Sequence, residues 1–552
     1  MGHQAGLAGD SPGTGKAMTP SSTKRRLRLV LWSAALTVIL VPAVLAAWQW
    51  WSGRARADYA RLLEKPADGA DVDAEMESRI KSFCGDCHAV PLPESFPRDA
   101  WHEEVIKGYR FYVWSERTDL KPPPVQATVA YFRSRAPVQL ALPQPEEAVN
   151  PFRASFMTER IDADPSARLP PAIAGLRWAK LRADSPPVIL ASDQSSGEIK
   201  CLEFSGPKRR VRRLAQLDSP CHMEPCDLDR DGSIDLLVAD LGTLTALDHD
   251  RGKVVWLRQD ARRGTFEKVV LASGLGRVAD VRPIDTNGTG KLDLVVAEFG
   301  LYRTGKILLL RNVGSRGQWP RFEPEELDPR TGTIHVPVVD INGDGRADFL
   351  ALVSNESESV EAFLNLGNGK FHRQTLWRAP DLTFGSDGIE VVDLNGDGKM
   401  DVLYANGDAF DNTYLSPWHG VQWLENLGNM QFKCHRLTDM PGAAVALAGD
   451  LDGDGDLDIL VVSYLPYNLK CDPETAQQFA SIVLLEQVSP GRFVRHTLER
   501  GLACHAAVVV GDFNGDGRLD FAVGTHLTGL HARELGPTWL TVWWNQGNVS
   551  GK

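Results

Sequence analysis

A short aspartate loop, written six times at nearly regular intervals, constrains what this chain can fold into more than any other feature. Its fullest copy carries Asp450, Asp452, Asp454 and Asp458, with Gly455 just after the third aspartate. Oxygens at positions one, three, five and nine, with a main-chain carbonyl at seven, can converge on one hard cation, as in the first part of a calcium loop. Apolar runs at 445–448 and 459–462 flank it, so the loop joins two buried strands. The phrase recurs at Asp227, Asp229, Asp231 and Asp235, and again at Asp340, Asn342, Asp344 and Asp348. It returns at Asp393, Asn395, Asp397 and Asp401, then at Asp512, Asn514, Asp516 and Asp520. A weaker copy has Asp285, Asn287 and Asp293, with Thr289 in place of the central carboxylate, and is expected to bind most weakly. First aspartates are spaced by 58, 55, 53, 57 and 62 residues, enough for a four-stranded sheet per repeat and too long for a simple solenoid coil.

After each loop and its strand comes a second signature, such as Asn365-Leu366-Gly367-Asn368-Gly369 or Asn426-Leu427-Gly428-Asn429. It reads as strand, tight turn, strand, so one unit holds four antiparallel strands, which is one propeller blade. Loops such as 393–398, followed by an apolar strand and this turn, resemble the FG-GAP or VCBS repeats of integrin-α-type β-propellers. The resemblance covers the chain from about residue 151 onward. It implies an all-β propeller with up to six Ca²⁺ ions on one face. Strands at 187–191 and 199–204 belong to a blade that lacks its metal loop, which makes seven blades. The last blade ends near 542–548 with no sequence left for an outer strand, and 156–161 resembles the outer strands of other blades. It is expected to pair with the last blade and clasp the ring.

The N-terminal third reads differently. Residues 1–28 form an expected disordered cytoplasmic tail, ending in a basic cluster at 24–28. An uncharged run at 29–51, closed by Trp48, Trp50 and Trp51, is long enough to cross a bilayer as one transmembrane helix. The positive flank directs the rest of the chain outward, giving an inner-membrane anchor with the protein facing the periplasm or cell exterior. A cleaved signal peptide is the competing reading, and it too exports the chain. Residues 52–71 are read as a linker.

Cys84, Cys87 and His88 then make C-x-x-C-H, the attachment signal for a c-type haem. Two thiols add to the porphyrin vinyl groups and the histidine ligates the iron. A thioredoxin-like pair or half a zinc site needs no histidine directly after the second cysteine. Val72, Met76, Ile80 and Phe83 keep helical spacing before the motif, as do Val125, Val129 and Phe132 after it, with Trp101 and Val105 on a helix between. The segment 72–137 therefore resembles a small all-α cytochrome c domain carrying one covalent haem. No methionine lies between Met76 and Met157 to serve as sixth ligand. His102 is the expected substitute, with Lys107, Tyr109 or an open iron position as alternatives. A linker at 138–150 leads into the propeller at 151–552.

Charge narrows the function classes. The six loops hold 19 ligand aspartates against a formal net charge of −12, so six divalent ions would neutralise the total. Acidity of this kind is ligand charge, and nucleic acid is not an expected partner. Cys201, Cys221, Cys226, Cys434, Cys471 and Cys504 are available for disulfides, although Cys221 and Cys226 are poorly placed to pair on one extended strand. On the face opposite the loops, His222, His335, His505, Asp240 and Glu298 form an expected acid/base rim, with Asp280, Asp408, His419 and His526 nearby. The leading reading is electron transfer coupled to substrate oxidation or binding on this face, with a redox partner protein or membrane electron-transfer chain. The alternatives are an adhesion or ligand-binding propeller, holding carbohydrate or protein, with an accessory cytochrome, and a haem-based sensor.

Overall fold

The computed structural model describes residues 72–86, 89–115, 117–163, 169–205, 208–260, 262–315, 319–355 and 357–548. The expected tail, membrane span and first linker lie outside these residues, as do Cys87 and His88. Among the described residues no helix is long and apolar enough to cross a membrane.

Seven antiparallel sheets follow one another around a ring. Blade one comprises Ile173–Ala179, Val188–Asp193, Glu198–Ser205 and Lys208–Gln216; blade two comprises Pro220–Cys226, Asp235–Asp240, Gly252–Asp260 and Thr265–Leu275. The pattern repeats to blade seven, where Ala507–Gly511, Asp520–Gly524 and Thr538–Asn548 are completed by Ala154–Asp162. That last pairing runs from Ala154 opposite Asn548 to Asp162 opposite Thr538, so the ring is clasped as expected. Inner strands of consecutive blades touch in order, and that of blade seven touches that of blade one.

Burial explains which residues form which strand. Second strands such as Asp235–Asp240, Asp348–Val353 and Asp458–Ser463 are buried at every position, because both faces meet neighbouring blades. They therefore read as continuous apolar runs rather than alternating ones. Outer strands such as Thr265–Leu275 are largely exposed and carry the charge. In blade four the inner strand breaks into Thr333–His335 and Val338–Val339, because Pro337 has no N–H to give the ladder.

The ninth aspartate of each loop is a structural residue as well as a ligand candidate. Asp520 Oδ1 accepts the Asn545 N–H at 2.8 Å, and Asn545 Nδ2 then donates to Leu519 O at 3.1 Å and to Leu451 O of the preceding blade's loop at 2.8 Å. Asn426 repeats this with Asp401, Met400 and Ile341, and Asn365 with Asp348, Ala347 and Thr286. The asparagine of the N-x-G turn thus ties its own loop to the one before it. Its Oδ1 accepts the turn glycine's N–H, at 2.8 Å for Gly547, which leaves none of its polar atoms idle.

Ahead of the ring, α1 (Ala74–Cys84), α2 (Trp101–Trp114) and α3 (Val125–Arg135) pack around Ile80, Trp101, Val129 and Phe132. Asp73 caps α1 by accepting the Met76 N–H at 2.8 Å, and Trp101 stacks on Phe132 with centroids 4.0 Å apart. The segment expected to be a linker is strapped down: Ala148 N–H donates to Arg495 O at 2.7 Å, and Glu147 accepts from Arg495, Thr497 and Arg500 on the outer strand of blade six. The described cysteines are all free thiols, so the disulfides allowed for by the sequence do not form among them. Cys221 and Cys226 lie on one extended strand, Pro220–Cys226, which separates them.

Candidate functional site

The aspartate loops are pre-folded by their own backbone. In the loop at 340, Asp344 N–H donates to Asp340 Oδ1 and Asn342 Oδ1, both at 3.0 Å, and Gly345 N–H donates to Asp340 Oδ2 at 2.8 Å. The loops at 393 and 512 reproduce these bonds. Gly345 needs a left-handed φ of 83°, as glycine allows without strain. Carboxylate oxygens of Asp227, Asp229 and Asp235 lie within 4.8 Å of one another, as do those of Asp450, Asp452 and Asp454. Asp227 Oδ1, Asp452 Oδ2, Asp456 Oδ1 and Asp348 Oδ2 are buried without hydrogen-bond partners. Burial pushes Asp235 up to about 6 and Asp458 up to about 7. Crowded, orphaned carboxylate oxygens fit a divalent cation, whose charge removes the cost of burying them. Basic side chains already sit on most of these loops: Asp344, Asp397 and Asp516 pair with Arg346, Lys399 and Arg518, Asp229 and Asp231 with Arg258, and Asp454 with Arg153, while in the loop at 285 Thr289 Oγ1 donates to Asn287. The loops at 227 and 450 are the ones in which three carboxylates converge.

The expected acid/base rim divides. His222 and His335 do meet, through Asp280: His222 Nε2 lies 3.2 Å and His335 Nδ1 3.8 Å from its carboxylate. Arg177 approaches His222 Nδ1 at 3.1 Å, and Arg282 pairs with both Asp280 (3.0 Å) and Glu224 (2.7 Å). Burial, then Arg282, holds His222 at about 4, so it is neutral at physiological pH. Burial alone would raise Asp280, but Arg282, His222 and His335 outweigh it and hold it ionised. The sequence reading missed Arg177, Glu224 and Arg282. Strand alternation was the available signal, because His222 and Glu224, like Asp280 and Arg282, sit two apart on one face of an inner strand.

The other rim residues have backbone duties or separate partners. Asp240 accepts the Ser219 N–H at 2.8 Å and Glu298 that of Gly276 at 2.6 Å, each fastening the chain as it enters its blade. His505 pairs with Glu499 at 2.8 Å. His526 bonds Tyr464 at 2.8 Å, and burial holds it at about 4. His419 is buried with Nδ1 unpartnered, held at about 3. Asp408 joins two carboxyls that the sequence reading missed, Glu358 and Asp387; all three are raised by burial and then by one another or Asp411, with Glu358 at about 8 and Asp408 at about 7.

The helical unit sits on the face opposite the aspartate loops. Leu92 N–H donates to Asp381 Oδ2 at 2.8 Å, Lys107 Nζ to Asp411 O at 3.1 Å and Arg303 to Trp114 O at 2.7 Å, while Phe111 packs on Tyr302 at 4.8 Å. Between the two lies a cavity of about 300 Å³. Phe83, Cys84, Trp101, Tyr109, Tyr112 and Phe132 form its helical wall, and Tyr302, Asn355, Thr383 and Asp411 its propeller wall. Burial pushes the Cys84 thiol up to about 11. An aromatic-lined cavity with this thiol in its wall fits a flat apolar macrocycle held by a thioether. His102, the expected sixth ligand, does not line the cavity; it lies beside Trp101 with Nε2 buried and unpartnered. Lys107 and Tyr109 do line it.

Ring closure, seven four-stranded sheets and a repeated aspartate loop define a seven-bladed β-propeller carrying FG-GAP repeats. The FG-GAP-like repeat family matches residues 227–296, 285–351 and 340–404, and the FG-GAP repeat family matches 506–537. Human cartilage acidic protein 1 is 22% identical over 414 residues, covering 68% of this chain and 57% of that protein. A T-cell immunomodulatory protein homolog from Plasmodium falciparum is 23% identical over 217 residues, covering 34% of this chain and 30% of that protein. The chain thus spans well under two thirds of the length of these relatives. Among solved structures, virginiamycin B lyase from Staphylococcus aureus aligns with a TM-score of 0.42 at 10% identity, covering 70% of this chain and 99% of that one.

Proposed function

We propose that this chain is a calcium-stabilised, ligand-binding propeller that carries a covalent haem in its N-terminal helical unit, exported and anchored to the inner membrane by the segment at 29–51. The observation that carries the haem is the aromatic cavity with Cys84 in its wall, three residues before the second cysteine of C-x-x-C-H. Haem would supply one-electron redox chemistry there, with Cys84, Cys87 and His88 holding it and Lys107 and Tyr109 as further donors in the cavity lining. The ligand-binding reading rests on the FG-GAP repeats and on the likeness to cartilage acidic protein 1.

A test uses full-length protein produced in an exported compartment with haem-attachment machinery. The expected result is a haem stain that survives a denaturing gel and disappears in Cys84→Ala. A colourless protein from a host that matures other c-type cytochromes overturns the haem.

One observation favours a second reading, a redox enzyme that passes electrons to the haem and on to a membrane chain. His222, Asp280 and His335 converge in the inner strands while the cavity opens on the propeller. On that reading His222→Ala and His335→Ala each abolish haem reduction by substrate and leave the spectrum intact. Reduction at the wild-type rate in both variants leaves the binding module.

A further inference from the structure

Blade one is the blade without an aspartate loop, and the space between its first two strands is filled differently. Its connection at 180–187 carries Arg182 and a single carboxylate, Asp184. Where the other blades gather acid, this one opens a cavity of about 490 Å³ between itself and blade two, on the face away from the helical unit. Arg182, Arg210, Arg212 and Arg263 line it, against two carboxylates, Asp184 and Glu203. The lining is therefore cationic by two charges in a chain of net charge −12.

The guanidiniums are held in different ways. Arg212 is fixed by Glu203 at 3.3 Å and by Gly264 O at 3.1 Å, and Arg182 makes a two-pronged pair with Asp184 at 3.0 Å. Arg210 reaches Glu203 only at 3.7 Å with its side chain 72% exposed, and Arg263 reaches Asp260 at 3.7 Å with 80% exposed. One pair of arginines thus shapes the cavity, and the other pair remains loosely engaged at its mouth. Phe266 and Pro187 give it apolar wall as well, more than an inorganic ion uses. Its volume falls within the range of small-molecule sites.

We infer that this cavity is a binding site for an organic dianion, a phosphate or sulfate monoester of about sugar size. The ester oxygens engage the planar forks of Arg210 and Arg263, which present paired N–H donors, and the carbon skeleton lies against Phe266. The site is independent of the haem and of the aspartate loops.

The test is titration calorimetry on the full calcium-loaded chain with glucose 6-phosphate, glucose 6-sulfate and glucose. Saturable binding of either ester, with none for glucose, is the expected result, and the preferred ester identifies the anion. R210E and R263E each weaken binding about tenfold or more, since each turns a favourable charge into a repulsive one. No saturable heat with either ester overturns the site. So does undiminished affinity in both variants, which would place the anion on cations bound in the aspartate loops. R263E alters a side chain whose one ion pair is long and exposed, so it decides the matter even if R210E fails to fold.

Discussion

Glu358→Gln tests whether the carboxyls beneath the helical unit are as buried as the packing implies. Glu358 sits in the connection between the second and third strands of blade four, 4% exposed, with a left-handed φ of 40°. Its Oε2 accepts from the Ser386 N–H at 2.9 Å and from Ser386 Oγ at 2.5 Å, and that hydroxyl also meets Tyr404. Those bonds favour the charged form, but burial outweighs them, Asp408 and Asp411 add repulsion, and the group is held at about 8. The unfolded chain releases this proton near its ordinary value of 4.5. Between these values the folded state binds more protons, so its stability falls as pH rises. From about pH 5 to about pH 8 the loss from this one group is about 3 kcal/mol at most. For a propeller of roughly 400 residues that is about 3–4 °C in midpoint. Glutamine keeps an acceptor for Ser386 and has no proton to lose. Scanning calorimetry across this range should show Glu358→Gln close to wild type at the acid end and more stable at the alkaline end. A shallower slope remains, because Asp408 and Glu390, each at about 7, act with the same sign. If wild type and variant run parallel across the range, the carboxyl is not buried as described.

Chelation should lower the thermal midpoint, with recovery on adding calcium, because the carboxylates of Asp450, Asp452 and Asp454 are left crowded without a counter-charge; metal analysis alongside the melt checks that ions have left. Asp454→Ala should cost more than Thr289→Ala in the same assay. Asn545→Ala removes hydrogen bonds to Leu451, Leu519 and Gly547 and should destabilise by about 3 kcal/mol in urea unfolding; a loss under about 1 kcal/mol would show that the loop-to-loop tie is not structural. Between about pH 4 and pH 6.5 the fall in stability with rising pH should be partly offset, since His222, His419 and His526, held at about 4, 3 and 4, are neutral when folded and take up protons on unfolding. His526→Gln should steepen the fall over that interval in equilibrium unfolding, measured against wild type.

What was legible in the sequence follows from what kind of constraint wrote it. The loops repeat because each needs the same oxygens at the same spacing, so blade number and the fully apolar second strands could be read directly. Closure by Ala154–Asp162 was legible because an outer strand has a recognisable alternation of exposure. The rim was not legible, since a carboxylate after a second strand looks the same whether it binds ligand or, like Asp240, fastens a backbone N–H. The pairing of Asp280 with His222 and His335 depends on contacts between three blades, which no local pattern records. Nor could spacing show that His102 falls outside the cavity while Tyr109, two turns further along nearly the same helix face, falls within it.

The position of the helical unit ties these findings together. The face it covers is the one from which the aspartate loops are absent, and there the propeller presents Asp381, Asp408 and Asp411. From α2, Lys107 donates to Asp411 O, and its charge pulls against the elevation of Asp408. The same lysine and the same Asp411 line the interfacial cavity. Whatever fills the cavity therefore touches Lys107 and Asp411, the two charged groups that act on Asp408 in opposite senses. Lys107 belongs to the docked unit and lowers Asp408, so the docking of that unit and the protonation of the face it covers cannot be independent. That coupling holds for a ligand-binding propeller and for a redox enzyme alike, because it arises from shared residues and not from the chemistry of the occupant.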